Sequence, residues 1–289
     1  MAAILLAALG AVFFGALSVA QRAGLTRARD LEAATVATCV VALALAAVLA
    51  AAAGQLDQLG GGDSWPYFVA GLLAPGAGQL LFMYAVRAIG AARSTTLIAA
   101  APLLSAVPAF VILDEPLRPA LPVGAVLIIT GAVVLSSEQL ASGEFRRIGI
   151  AFALGSAAMI AARDNLVRAF ARDDGVGGLA AATASLAAAS LFVAAYVAVV
   201  RRRPAIAGLA GVLRAFLPAG LLLGLAYAAN LEALTRGRVT VVTPFYGMEA
   251  LWAVLLAHVF LGRTERIGPR VLVAAGLMVV GAALIGAFR

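Results

Sequence analysis

A chain of 289 residues that is 64% hydrophobic and 12% charged, with mean hydropathy +1.05, has too little polar surface for a water-soluble globule, which carries about 45–50% apolar and about 25% charged residues. The formal charge of +7 rests on arginine alone, with no lysine in the chain; these arginines are scattered through short segments between apolar runs, which points to control of membrane topology and away from nucleic-acid binding. The runs are continuous over about 20 residues and lack period-two alternation, so a membrane β-barrel is excluded and an all-α polytopic membrane protein is expected.

In chain order the apolar runs fall at about 3–22, 33–53, 65–86, 94–113, 119–136, 148–169, 177–200, 212–234, 239–261 and 269–288, which predicts ten transmembrane helices. The first run has no basic segment before it and no polar mature sequence after it, so it reads as a membrane span and not as a cleaved signal. The one cysteine, Cys39, lies inside the second run. It forms no intrachain disulfide and reads as a small buried hydrophobe. Pro75, Pro102, Pro108 and Pro244 fall inside runs, where each removes a backbone donor and bends or breaks its helix.

A sequence echo organises the runs. The stretch Tyr84–Ser137 recurs as Leu231–Ala287: a shift of 150 places Glu115 on Glu265, Pro119 on Pro269, Val123 on Val273, Leu127 on Leu277 and Gly131 on Gly281. Upstream, Gly90 falls on Gly237 with a shift of 147. The polar segment Ser136–Arg147 divides the chain into two repeats, 1–140 and 141–289, each with five predicted spans. An odd number of spans per repeat forces the two copies into opposite orientations, the inverted arrangement common in secondary transporters. That duplication places a cavity among spans 1, 3, 4, 6, 8 and 9 of those counted above.

Arginine placement argues orientation. The segments after the odd-numbered spans hold Arg22, Arg27, Arg29, Arg87, Arg93, Arg146, Arg147, Arg201, Arg202, Arg203, Arg214, Arg263, Arg266 and Arg270, fourteen in all; the other side holds Arg118, Arg163, Arg168, Arg172, Arg236, Arg238 and Arg289, seven. The positive-inside rule then favours both termini outside the cytoplasm.

Polar groups inside the runs are the candidate site, because an ionisable group at membrane depth must face protein or a water-filled cavity. Span 1 carries Ser18 and Gln21, and span 3 carries Gln79 and Tyr84; these bind a solute or glue helices together. Span 6 carries Arg163, Asp164 and Asn165, a charged pair with an amide. It either binds a polar substrate or couples an ion, or else marks an earlier helix end at the interface. In span 8, Tyr227 and Asn230 share a face, while Glu232 pairs with Arg236 four residues on. In span 9, Tyr246, Glu249 and Trp252 follow Pro244 at spacing three. Glu249 is the leading candidate for an intramembrane carboxylate that takes a cation, a proton or a substrate amine; the alternative is a structural hydrogen bond across helices. His258 either relays protons or stands idle at the interface.

No GxSxG, HExxH or P-loop pattern occurs, and one histidine with one cysteine builds no typical metal site, so no catalytic residue, metal or cofactor is expected. Asp173, Asp174 and Gly175 form a short acidic turn, far from the ligand set of an EF-hand.

The segments YAVRAIGAARSTTLIAAAPLLSAVPAFVILDEPLRP and GRVTVVTPFYGMEALWAVLLAHVFLGRTERIG, with Glu115 and Glu265 in the turn before the last helix of each repeat, resemble the ten-helix, EamA-type branch of the drug/metabolite transporter superfamily. Glu249 falls in MEALWAVLLA, which is similar to a glutamate-bearing segment of the family's second repeat. One departure is that the family usually carries the glutamate directly after the glycine, whereas here Arg263 and Thr264 separate Gly262 from Glu265.

The resemblance implies a secondary transporter, often an exporter of amino acids, metabolites or drugs, in the bacterial plasma (inner) membrane. It implies both termini in the cytoplasm, against the arginine count. The expected partners are a small-molecule substrate, the lipid bilayer and a coupling ion such as the proton, with no nucleic acid, in a monomer or homodimer. Substrate is expected at Gln79, Tyr84, Arg163, Asp164, Asn165, Tyr227, Asn230, Tyr246, Glu249 and Trp252. Glu115 and Glu265 are expected to act in membrane-edge turns, by helix capping or ion pairing with arginines. Two alternatives are a membrane-embedded enzyme on a lipid-linked substrate and a non-transporting accessory subunit.

Overall fold

Inside a bilayer no water pairs the backbone, so an apolar chain satisfies its N–H and C=O groups within helices. The computed structural model describes residues 1–27, 30–89, 94, 97–98, 100–115, 118–140, 147–171, 175–200, 209–260 and 269–287, and among them every regular element is helical. These are α1 (Ala2–Arg27), α2 (Leu31–Ala52), α3 (Trp65–Gly71), α4 (Gly78–Ile89), α5 (Ala101–Val111), α6 (Ala120–Leu140), α7 (Arg147–Phe170), α8 (Gly178–Val200), α9 (Leu209–Arg236), α10 (Val239–Val242), α11 (Glu249–Phe260) and α12 (Pro269–Ala287). Six described stretches are both long and apolar enough to cross a membrane: Ala2–Gln21, Leu31–Ala52, Gly62–Ala85, Arg147–Phe170, Gly178–Val199 and Ala210–Arg236. Shorter apolar helices cover Ala101–Val111, Ala120–Gly131 and Val273–Ile285. Glu265 with its neighbours Gly262, Arg263 and Thr264, Gly90, the cluster Arg201–Arg203 and the turn residues Asp173 and Asp174 lie outside the described residues, as does the side chain of His258.

Two predicted runs are not continuous helices. The run at 65–86 is interrupted at Ala74, whose φ of −148° and ψ of 126° are extended, next to Pro75. Pro75 offers no N–H to the turn before it, so the helix breaks there. The run at 239–261 begins as the four-residue α10, tightens through Thr243–Met248 around Pro244, and resumes as α11. Other prolines behave differently. Pro102 sits in the first turn of α5, where the missing N–H has no partner to lose, and Pro108 and Pro218 lie inside α5 and α9 without dividing them.

The helices pack in a pattern that survives exchange of the two halves. Helix α1 packs on α9 and α11; in exchange, α7 packs on α4 and α5. Helix α2 packs on α9 as α8 packs on α3, while the pairs α2–α8 and α6–α12 map onto themselves. The register of the sequence echo is visible at the last pair. A Cβ on Gly131 would stand 2.8 Å from the Ala274 carbonyl, and a Cβ on Gly281 would stand 2.5 Å from the Gly124 carbonyl. These are one contact made twice, since 131 and 124 shifted by 150 are 281 and 274. Small residues let the backbones meet this closely, which is how helices associate where lipid is as apolar as the side chains.

Candidate substrate-binding cavity

The broken helices border a cavity between the halves. Its wall comes from α1 (Phe14, Leu17, Ser18, Gln21), the α3–α4 break and α4 (Ala74, Pro75, Gly78, Gln79, Phe82), Ile98 and the start of α5 (Ala101, Pro102), α7 (Ser156, Ile160, Arg163), α9 (Leu223, Tyr227, Asn230) and the α10–α11 segment (Tyr246, Gly247, Glu249). These elements occupy the runs numbered 1, 3, 4, 6, 8 and 9 in the sequence. Most of the wall is apolar, with a few polar groups set into it, as is usual for a small-molecule site.

Arg163 is the cationic group of the wall. It is 2% exposed, its Nε lies 2.8 Å from Asp164 Oδ1, and its guanidinium carbon stands 5.2 Å from the centre of the Tyr227 ring. Asp164 is fully buried behind it and does not line the cavity. Taking two charges out of water is repaid only by close pairing, and the cation over the ring face adds to that repayment. Even so, Arg163 Nη1 has no hydrogen-bond partner among the described residues, so a donor of formal positive charge remains for a ligand.

The anionic group is Glu249, at the first turn of α11. Ser18 Oγ donates to Glu249 Oε1 at 3.4 Å. Close approach of α1 makes this possible: a Cβ on Gly15 would stand 2.6 Å from Trp252 Cβ and 2.8 Å from the Ala253 nitrogen. On the same wall the Tyr246 hydroxyl donates to Asn230 Oδ1, and among the described residues Asn230 Nδ2 has no partner. The rings of Tyr227 and Tyr246 both meet Phe14 edge to face, with centroids 6.1 and 6.5 Å apart.

Of the ten residues expected at the site, Gln79, Arg163, Tyr227, Asn230, Tyr246 and Glu249 line this cavity. The other four face elsewhere. Tyr84 is hydroxyl-paired with Tyr196 and tilts against Phe152 at 5.6 Å. Asn165 donates from Nδ2 to the carbonyls of Ser105 at 3.0 Å and Ala161 at 2.9 Å, tying α7 to α5. Asp164 backs Arg163, and Trp252 wedges against α1 at Gly15. Phe14, Phe82 and Ser156 line the cavity without having been singled out from the sequence; an aromatic ring in an apolar run carries no mark that separates a cavity wall from a lipid face. Ser156 donates to the Gly78 carbonyl at 2.8 Å, beside the break in the α3–α4 run. Glu232 and Arg236 form the expected ion pair at the end of α9. Among the described residues no group of three or more His, Cys, Asp or Glu could hold a metal ion.

The charged cavity groups break the repeat symmetry. A shift of 147 puts Arg163 on Ala16, and Glu249, which lies where the shift changes from 147 to 150, falls on Ala99, Ala100, Ala101 or Pro102. The scaffold is shared between the halves, while among the described residues the charged groups of the wall belong to the second half.

An all-helical membrane fold made of two repeats around an apolar cavity with a few polar groups set into it is an architecture that solute transporters use. The sequence matches the model of the EamA-like transporter family over residues 1–137 and again over 147–287, and the chain belongs to that family, within the drug/metabolite transporter superfamily. It is a multi-pass membrane protein of a transporter family whose substrates are small molecules. Among curated proteins none matches the sequence. Several solved structures match; one crystal structure among them shares the fold with a TM-score of 0.77 at 22% identity, over 98% of this chain and 95% of its own.

Proposed function

We propose that the protein is a secondary active exporter of a small polar or amphipathic metabolite, amino acid or drug, working by alternating access between ten spans arranged as two inverted five-helix repeats, 1–140 and 141–289. The observation that carries this reading is the presence of Arg163 and Glu249 on the wall of one cavity. Opposite charges set into an apolar wall suit a solute that bears both an anionic and a cationic group. In that pose the carboxylate of an amino acid meets the unpartnered Arg163 Nη1, its ammonium meets Glu249, and an apolar side chain rests on Phe14 and Tyr227. Asn230 supplies a further donor. When substrate is absent, Glu249 takes the coupling proton.

The cavity lies within one chain, which supports a functional monomer. An enzyme acting on a lipid-linked substrate would need free acid groups at an interface, and Glu115 is instead engaged with backbone amides of α10. The arginine distribution favours termini outside the cytoplasm of a bacterial inner membrane, against the family's usual arrangement. Paired reporter fusions after Arg289, one active only outside the cytoplasm and one only inside, decide between them.

Counterflow in proteoliposomes, screened with amino acids and with cationic drugs, tests the function. Saturable exchange of a zwitterionic solute is the expected result. Absence of exchange for both classes, from protein that elutes as a single folded species, overturns it.

A further inference from the structure

The cavity stops short of one membrane face. Its lining on α7 ends at Arg163 and on α9 at Asn230, while those helices run on to Phe170 and Arg236. On the α10–α11 segment the lining begins only at Tyr246, although the segment enters at Val239. On this side of the cavity, toward the ends of α7 and α9, lies a buried cluster centred on Glu115.

Asp114, at φ 51°, turns the chain after α5 and sends Glu115 inward, where it is 2% exposed. Glu115 Oε1 accepts from the Val239 N–H at 2.9 Å, and Oε2 accepts from the Thr240 N–H at 3.0 Å and the Thr240 hydroxyl at 2.8 Å. Arg168 of α7 has Nε 3.9 Å from Glu115 Oε1 and donates from Nη1 to the carbonyls of Thr235 at 3.2 Å and Leu234 at 3.4 Å, at the end of α9. One carboxylate and one guanidinium thus join the ends of α5, α7 and α9 to the start of α10. Helix starts are ordinarily capped by a side chain of their own. Here Arg238, at the capping position, makes no such bond, and the acceptor is borrowed from the other repeat. The four joined segments are those that continue into the cavity wall, and they belong to different halves, so they must part if the cavity is to open at this face.

We propose that Glu115, with Thr240 and Arg168, is the latch that closes the cavity toward the face bearing the α5–α6 turn, and that it releases α10 when the transporter opens there. The proposal rests on the alternating-access reading above. Its test needs no substrate, so a failed counterflow screen leaves it standing.

The test places one reporter cysteine, Ile160→Cys, on the cavity wall of a Cys39→Ala protein in membrane vesicles of both orientations. A membrane-impermeant thiol reagent is added to one side at a time. Glu115→Gln keeps the size of the side chain and removes its charge. It is expected to raise labelling from the α5–α6 face about tenfold, the effect of losing one strong hydrogen-bonded contact from a two-state equilibrium, with labelling from the opposite face falling. Thr240→Val, which removes only the hydroxyl bond, is expected to move the ratio the same way by less. It serves as the test if Glu115→Gln does not fold. An unchanged ratio, or an equal rise from both sides, overturns the latch and leaves Glu115 a static cap.

Discussion

Ser18 Oγ stands 3.4 Å from Glu249 Oε1, a hydrogen bond between the first apolar run of one half and the fourth apolar run of the other. It sets an ionisable group of the second repeat against the first repeat at the wall of the cavity. Arg163 and the hydroxyls of Tyr227 and Tyr246 share that wall. A change of charge at Glu249 is therefore felt by both halves.

Replacing Glu249 by Gln preserves shape and removes the titrating group. Transport by the variant is expected to lose its dependence on pH while the protein elutes and melts as the parent does. Flux in reconstituted vesicles across a pH series checks this; a pH profile that matches the parent assigns proton coupling elsewhere.

Arg163 and Asp164 are buried as a pair, and removing one leaves the other uncompensated. Arg163→Met is expected to lower stability by about 3–5 kcal/mol. The double change Arg163→Met with Asp164→Leu is expected to recover most of that loss without restoring transport of an anionic or zwitterionic solute. Thermal unfolding in detergent, run beside a flux assay, separates the two effects.

Close helix contact depends on particular glycines. A Cβ on Gly124 would stand 2.6 Å from Ile285 Cγ1 and 2.7 Å from the Gly281 carbonyl, whereas one on Gly276 meets nothing within 4 Å. Gly124→Ala is expected to destabilise by about 1–3 kcal/mol through overpacking, and Gly276→Ala to leave the unfolding midpoint where it is.

Tyr84 and Tyr246 were equivalent candidates as residues, and the fold parts them. Tyr84→Phe removes a hydroxyl outside the cavity and is expected to leave substrate affinity unchanged. Tyr246→Phe frees Asn230 Oδ1 inside the cavity and is expected to weaken binding several-fold, about 1 kcal/mol for one hydrogen bond. Competition binding or exchange rates on the two purified variants distinguish them.

Much of the architecture was legible in the chain. Glu115 repeats as Glu265 and Gly131 as Gly281, and the contact of Gly131 with Ala274 returns as that of Gly281 with Gly124. Where helices break was partly legible: Pro75 and Pro244 stand at interruptions, yet Pro108 and Pro218 do not, because a proline divides a helix only where neighbouring elements accept the altered path. The candidate site was half legible. Arg163, Asn230 and Glu249 are costly in an apolar run and so announce a protein-facing position. Which neighbour each faces was not. Asn165 is adjacent to the charged pair in sequence and turns to Ser105 instead.

What the sequence determined by itself was the solvent, the helical secondary structure and the duplication, because each follows from composition and spacing along one chain. Only the tertiary structure decided which polar groups share a cavity and that Glu115 reaches across to the amides of Val239 and Thr240. The Glu115 contacts join residues more than a hundred positions apart, and both relations exist only once the two repeats have packed against each other.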